Sequence, residues 1–188
     1  MPNTPIHLNA TAVSLIVATG GLLFGFDTAV ISGAISFLKA QFSIAPAMEG
    51  WLVSSGLLGC IIGVLITGFI SDRIGRKKVL LLSGYLFLLS GLGCAFAPSL
   101  SVFIFARFIG GMGVGMASVI SPMYIAEFAP AEKRGRMISY YQLAITVGIL
   151  LAYFSNAFLV KISQQNFNDG LVQSFFKTDV WRPMFLQW

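Results

Sequence analysis

Five runs of mostly apolar residues, at about 10–38, 51–70, 79–97, 101–125 and 137–160, alternate with short polar turns. Each is long enough to cross roughly 30 Å of hydrocarbon, which takes about 20 residues at helical rise. Backbone groups in hydrocarbon must pair within the segment, so spans of this length admit helices. The chain is therefore expected to be an all-α, polytopic membrane protein. Its composition agrees, since 188 residues with 56% hydrophobic and 10% charged side chains and a mean hydropathy of +0.84 do not make a soluble globule. The expected division is a cytoplasmic tail at 1–9, five transmembrane helices within 10–160, a periplasmic segment at 161–180 and the start of a truncated sixth helix at 181–188.

The charges orient these spans. Arg73, Arg76, Lys77 and Lys78 lie between the second and third spans, and Lys133, Arg134 and Arg136 between the fourth and fifth. The first loop on the other side holds only Lys39, and the next holds no cation. Excess Lys and Arg mark the cytoplasmic side, so the amino terminus is expected inside and the chain in the cytoplasmic (inner) membrane. The same loops account for the net charge of +5, which leaves nucleic acid as an improbable partner. The leading residues MPNTPIHLN carry no basic n-region, so the first span is expected to be retained. Cys60 and Cys94 fall within spans and read as small packing residues. No Ser/His/Asp set, metal-ligand cluster or phosphate loop is present, and the single histidine, His7, sits in the tail. Neither an enzyme nor a cofactor or metal is expected.

Two charges break the apolar pattern. Arg107 lies inside the fourth span, where an arginine in hydrocarbon costs from about 2.5 to more than 10 kcal/mol unless it meets a polar interior or an acid. Asp27 is the acid placed mid-span. Asp27 lies about eleven residues, roughly 16 Å, from the outer end of its span, and Arg107 about six residues, roughly 9 Å, from the outer end of its own. An arginine side chain covers much of that difference, although Arg107 could instead snorkel to the surface. The pair is a candidate proton-coupling site; the plainer reading is a buried acid satisfied by backbone or by Thr28. Gly21 with Gly25, and Gly111 with Gly115, are spaced for close helix packing. Phe24 stands three residues before Asp27 on neighbouring parts of one helix face. In the fifth span Gln142, Ile145 and Ile149 share a stripe at helical spacing. A glutamine amide there needs partners, and its donors and acceptor suit a pair of sugar hydroxyls as well as a helix-to-helix bond.

The order of residues in the basic turns is more specific than their charge. GFISDRIGRKK places Gly68, Asp72, Arg73, Gly75 and Arg76 in the pattern G-x-x-x-D-R-x-G-R followed by Arg or Lys. Ile109, Gly111, Met112 and Gly115 follow I-x-G-M-x-x-G, and Tyr124, Glu127 and Arg134 come after at a matching spacing. With the strings GGLLFGFDTAVISGA and SPMYIAEFAPAEKRG, and WRPMF at 181–185, the chain resembles the sugar porter branch of the major facilitator superfamily over about 12–160. The resemblance implies the amino-terminal six-helix bundle of that fold, cut after about five transmembrane helices, with nested inverted three-helix repeats. It implies an inner gate at Gly68, Asp72, Arg73, Gly75, Arg76, Glu127 and Arg134, the aspartate pairing with charges on a neighbouring helix end. It also implies sugar contact at Phe24, Gln142, Ile145 and Ile149; some members carry a second glutamine where this sequence has Ile149, which leaves pentose and hexose both open. The expected partners are a small sugar, a proton, the lipid bilayer and a missing carboxy-terminal half. Three functions stand: proton-coupled sugar symport, facilitative sugar carriage, and a nontransporting membrane fragment.

Overall fold

The computed structural model describes residues 10–42, 44–163 and 181–186. They form six α-helices, α1 (Ala10–Phe42), α2 (Pro46–Ile74), α3 (Arg76–Ala95), α4 (Leu100–Phe128), α5 (Arg134–Ser163) and the short α6 (Trp181–Leu186), with a single 3-10 turn at Ala131–Lys133 before α5. α1 to α5 each contain a stretch long and apolar enough to cross a membrane. The tail at 1–9, most of the segment 161–180 and the last two residues lie outside the described part.

Local chemistry explains where these helices stop, and why several outrun the spans read from hydropathy. α2 begins at Pro46 rather than 51, because proline suits a first helical position, and it continues to Ile74 through the charged turn. Gly75 separates α2 from α3 with φ of +87°, a conformation that costs any residue with a Cβ about 1 kcal/mol or more. Its N–H still reaches the Ser71 carbonyl at 3.0 Å, so the turn is one residue long. α3 ends at Ala95, two residues short of the expected 97, as the chain leaves the helical region ahead of Pro98. The Ser99 side chain accepts from the Val102 N–H and opens α4. α4 runs unbroken through Pro122 and ends at Phe128, one residue before an extended Ala129 and Pro130.

α4 is the centre of the bundle: Gly110, Gly111, Gly113 and Gly115 to Ala117 are all buried. Helices in lipid gain little from the hydrophobic effect and associate where small residues let backbones meet. A Cβ on Gly111 would strike the Gly56 carbonyl of α2, and one on Gly115 the Cys60 carbonyl. In α1, a Cβ on Gly21 or Gly25 would strike the carbonyls of Tyr141 and Ile145 on α5. The two seams match residue by residue. A shift of 90 residues carries Gly21, Leu22 and Gly25 to Gly111, Met112 and Gly115; a shift of 85 carries Gly56, Cys60 and Gly63 to Tyr141, Ile145 and Gly148. Gly63 accordingly meets the Met112 carbonyl as Gly148 meets that of Leu22. α1 against α5 and α4 against α2 are therefore one packing solution used twice, in helices of opposite direction, as inverted repeats require.

Candidate functional site

Asp27 and Arg107 are brought together within the bundle, away from the basic turns. The Arg107 Nη1 donates to Asp27 Oδ1, and the two residues are only 5% and 4% exposed, so Arg107 does not snorkel. Thr28 takes no part, because its hydroxyl donates to the Phe24 carbonyl at 2.8 Å. Gly56 on α2 makes room for the guanidinium: a Cβ there would lie 3.1 Å from Nη2. Two charges removed from solvent in this way stabilise a fold little, since desolvation offsets their attraction, but removing one partner alone is costly. Such a pair is weak evidence for architecture and better evidence for a site.

The pair borders a cavity of about 240 Å³ between α1, α2 and α4, whose wall includes Phe24, Thr28, Ile31, Leu57 and Cys60. Gln142 reaches the same side of the bundle. One flank of the α1–α5 seam is a groove lined by Ala18, Thr19 and Leu22 with Tyr140, Leu143, Ala144 and Val147. Gln142 and Ile149 lie roughly 80–100° round α5 from Tyr141 in the other sense, on the flank of Phe24 and Thr28. Gln142 is exposed there and Ile149 half-buried. Ile145 departs from this group: its backbone carries the carbonyl that Gly25 accommodates, and its half-buried side chain packs against the cluster that contains Val17 and Tyr141. It belongs first to the seam between helices.

At the opposite end, the basic turns form an exposed network. Arg76 Nε donates to Glu127 Oε1 of α4 at 3.0 Å, and its Nη1 to Asp72 Oδ1 at 3.3 Å. Asp72 thus meets the α4 end only through Arg76, because that end is itself acidic at Glu127. The Arg73 guanidinium lies 4.0 Å over the Phe69 ring. Arg134 opens α5, exposed and without an ion pair among the described residues, so it stands apart from this network. Gly68 faces open space, and its lack of a side chain answers no packing need here. Exposed pairs of this kind contribute about 0–1 kcal/mol, weak enough to be made and broken in a working cycle.

Some connections escaped sequence reasoning. Asn156 on α5 donates to the Val30 carbonyl of α1 at 3.2 Å beside Gly33, and a lone asparagine in an apolar run was its signal. Gly59 and Gly63 on α2 carry the same four-residue spacing that marked α1 and α4.

The described residues thus form a helical bundle that packs by repeated seams and buries an ion pair beside a cavity. The Sugar (and other) transporter family matches residues 13–187, and the chain belongs to that family, in the sugar porter branch of the major facilitator superfamily. It is 52% identical over 139 residues to the D-xylose transporter of Levilactobacillus brevis, covering 74% of this chain and 30% of that one. It is 40% identical over 200 residues to the D-xylose-proton symporter of Escherichia coli strain K12, covering 93% and 39%. Among solved structures, the inward-open E. coli xylose transporter superposes with a TM-score of 0.81 at 39% identity, over 95% of this chain and 44% of that one. The same family's proton:xylose symporter bound to 6-bromo-6-deoxy-D-glucose superposes with a TM-score of 0.82, at 38% identity over 93% and 41%. The chain thus spans about a third of the length of these curated relatives, which are transporters and not enzymes. It is an integral membrane protein.

Proposed function

We propose that this chain supplies the amino-terminal wall of a carrier that moves a pentose or hexose with a proton by alternating access. The observation that carries the reading is the buried Asp27–Arg107 pair beside a cavity shared with Phe24, on the side to which Gln142 points. A cavity of about 240 Å³ falls short of the roughly 300 Å³ at which ligand sites begin, which suits one wall of a sugar site facing another. Relatives named as D-xylose- and arabinose-proton symporters support the coupling and the substrate class. Phe24, Gln142 and Ile149 contact the sugar and Ile145 shapes the seam behind them. Asp27 takes up and releases the proton against Arg107. The inner gate is built on Asp72, Arg76 and Glu127, with Gly68, Arg73, Gly75 and Arg134 in the turns beside them. The carrier sits in the cytoplasmic membrane with its amino terminus inside.

The direct test is sugar binding to the purified full-length carrier. Gln142→Ala should weaken binding by about 1 to 3 kcal/mol, the range for losing a hydrogen-bonding partner, with folding kept. Unchanged affinity would assign Gln142 to a bond between helices. The orientation has its own check. A reporter fused at Lys77 should read as cytoplasmic and one fused at Asn166 as periplasmic, and Asn166 found inside would remove both the span count and the inner gate.

A further inference from the structure

α6 is short, yet its first turn is tied to the bundle at several points. Arg182 donates from Nη1 and Nη2 to the Ala95 and Ala97 carbonyls at 3.0 and 3.4 Å, groups freed where α3 ends. Its guanidinium lies 4.9 Å from the Trp181 ring. Trp181 and Phe185 are fully buried and meet Phe103 of α4 edge-on, with centroids 5.6 and 5.1 Å apart. Phe103 and Arg107 are four residues apart and so share one face of α4. The Arg107 guanidinium carbon lies 6.0 Å from the Phe185 ring centroid, at the limit of cation–π attraction.

We propose that Phe185 is a positioning residue for Arg107, holding the guanidinium against Asp27 from a turn of α6 that Arg182 clamps to the end of α3. The inference rests on the reading of Asp27–Arg107 as the proton site. Around that pair, among the described residues, α2 brings the Cys60 thiol within electrostatic reach of Asp27, and α3 brings Cys94 within reach of both charges. α5 brings Tyr141, near Cys60, and α6 brings Arg182, whose hydrogen bonds run to the end of α3. Phe185 carries no charge and does not titrate, so it acts only through where it places Arg107. With the ring gone, the guanidinium holds the carboxylate less well, and protonation of Asp27 survives to higher pH.

The test is proton-driven sugar uptake by the full-length carrier in liposomes, measured as a function of pH. Phe185→Leu, which keeps an apolar side chain but no ring, should move the alkaline limb of the profile upward by about half a pH unit. Arg182→Ala releases the clamp without touching the buried ring and should move the limb the same way, which covers the case in which the leucine variant does not fold. A profile that superimposes on the parent's in whichever of the two folds overturns the proposal. Asp27→Asn, run alongside, separates the two ideas: if it retains the parent's pH dependence the proton-site reading has failed, whereas a flat Asp27→Asn profile beside an unmoved Phe185→Leu profile removes Phe185 alone.

Discussion

Replacing Asp27 by asparagine in the full-length carrier should abolish accumulation of sugar against a gradient while leaving counterflow exchange measurable. Coupling needs a group that binds a proton in one state and releases it in another. Among the described residues Asp27 is the acid buried in the spans, and its side-chain partner is the Arg107 guanidinium. Asparagine keeps the size of the side chain and can still accept a hydrogen bond from Arg107, but it cannot carry a proton. The bundle should therefore still rock between its two openings with sugar bound, since exchange requires only that motion. What is lost is the link by which a conformational change that moves Arg107 relative to Asp27 alters proton affinity. Paired measurements of sugar uptake and proton uptake in liposomes decide the matter. Continued accumulation with normal proton uptake would place the coupling acid elsewhere.

The charge pair was legible in the sequence because hydrocarbon makes each charge demand a partner and only a few candidates existed. Depth along two oppositely running helices did the rest. The glycines of α1 and α4 were legible for a similar reason, as flat faces in apolar helices. Their partners were not. A flat face shows that a helix is approached closely and does not say by which neighbour, so the α2 glycines and Gly148 became meaningful only beside the carbonyls they face. Ile145 shows a second limit. The stripe of Gln142, Ile145 and Ile149 is a real face of α5, but the α1 seam runs along one edge of it, and spacing alone cannot locate that edge. Hydropathy likewise marked the apolar slab and not the helix ends, which are set by Gly75, Pro98, Ser99 and Pro130. In the network of the basic turns the pairing was not legible: Arg76, and not Asp72, bridges to α4.

The seams carry the second large effect. Gly111→Leu should prevent folding, or lower the midpoint of unfolding in detergent severely, because the new Cβ alone would overlap the Gly56 carbonyl, a backbone atom that cannot turn aside. Ordinary overpacking costs about 1 to 3 kcal/mol when side chains can rearrange. Here relief requires α2 and α4 to separate along their length, which also lifts Gly115 from Cys60 and Gly63 from Met112. The inverted repeat predicts that Gly21→Leu will fail in the same way, by driving α1 from Tyr141 on α5. Gly68 and Gly84 supply the contrast, since a Cβ at either meets no atom within 4 Å. Both lie inside helices, where alanine is the better helix former by about 1 kcal/mol, so Gly68→Ala and Gly84→Ala should leave stability unchanged or slightly raised. Detergent unfolding of the four variants would show whether the glycines work through backbone contact. Equal tolerance at Gly111 and Gly84 would mean that the close seam between α2 and α4 is not what holds this bundle together.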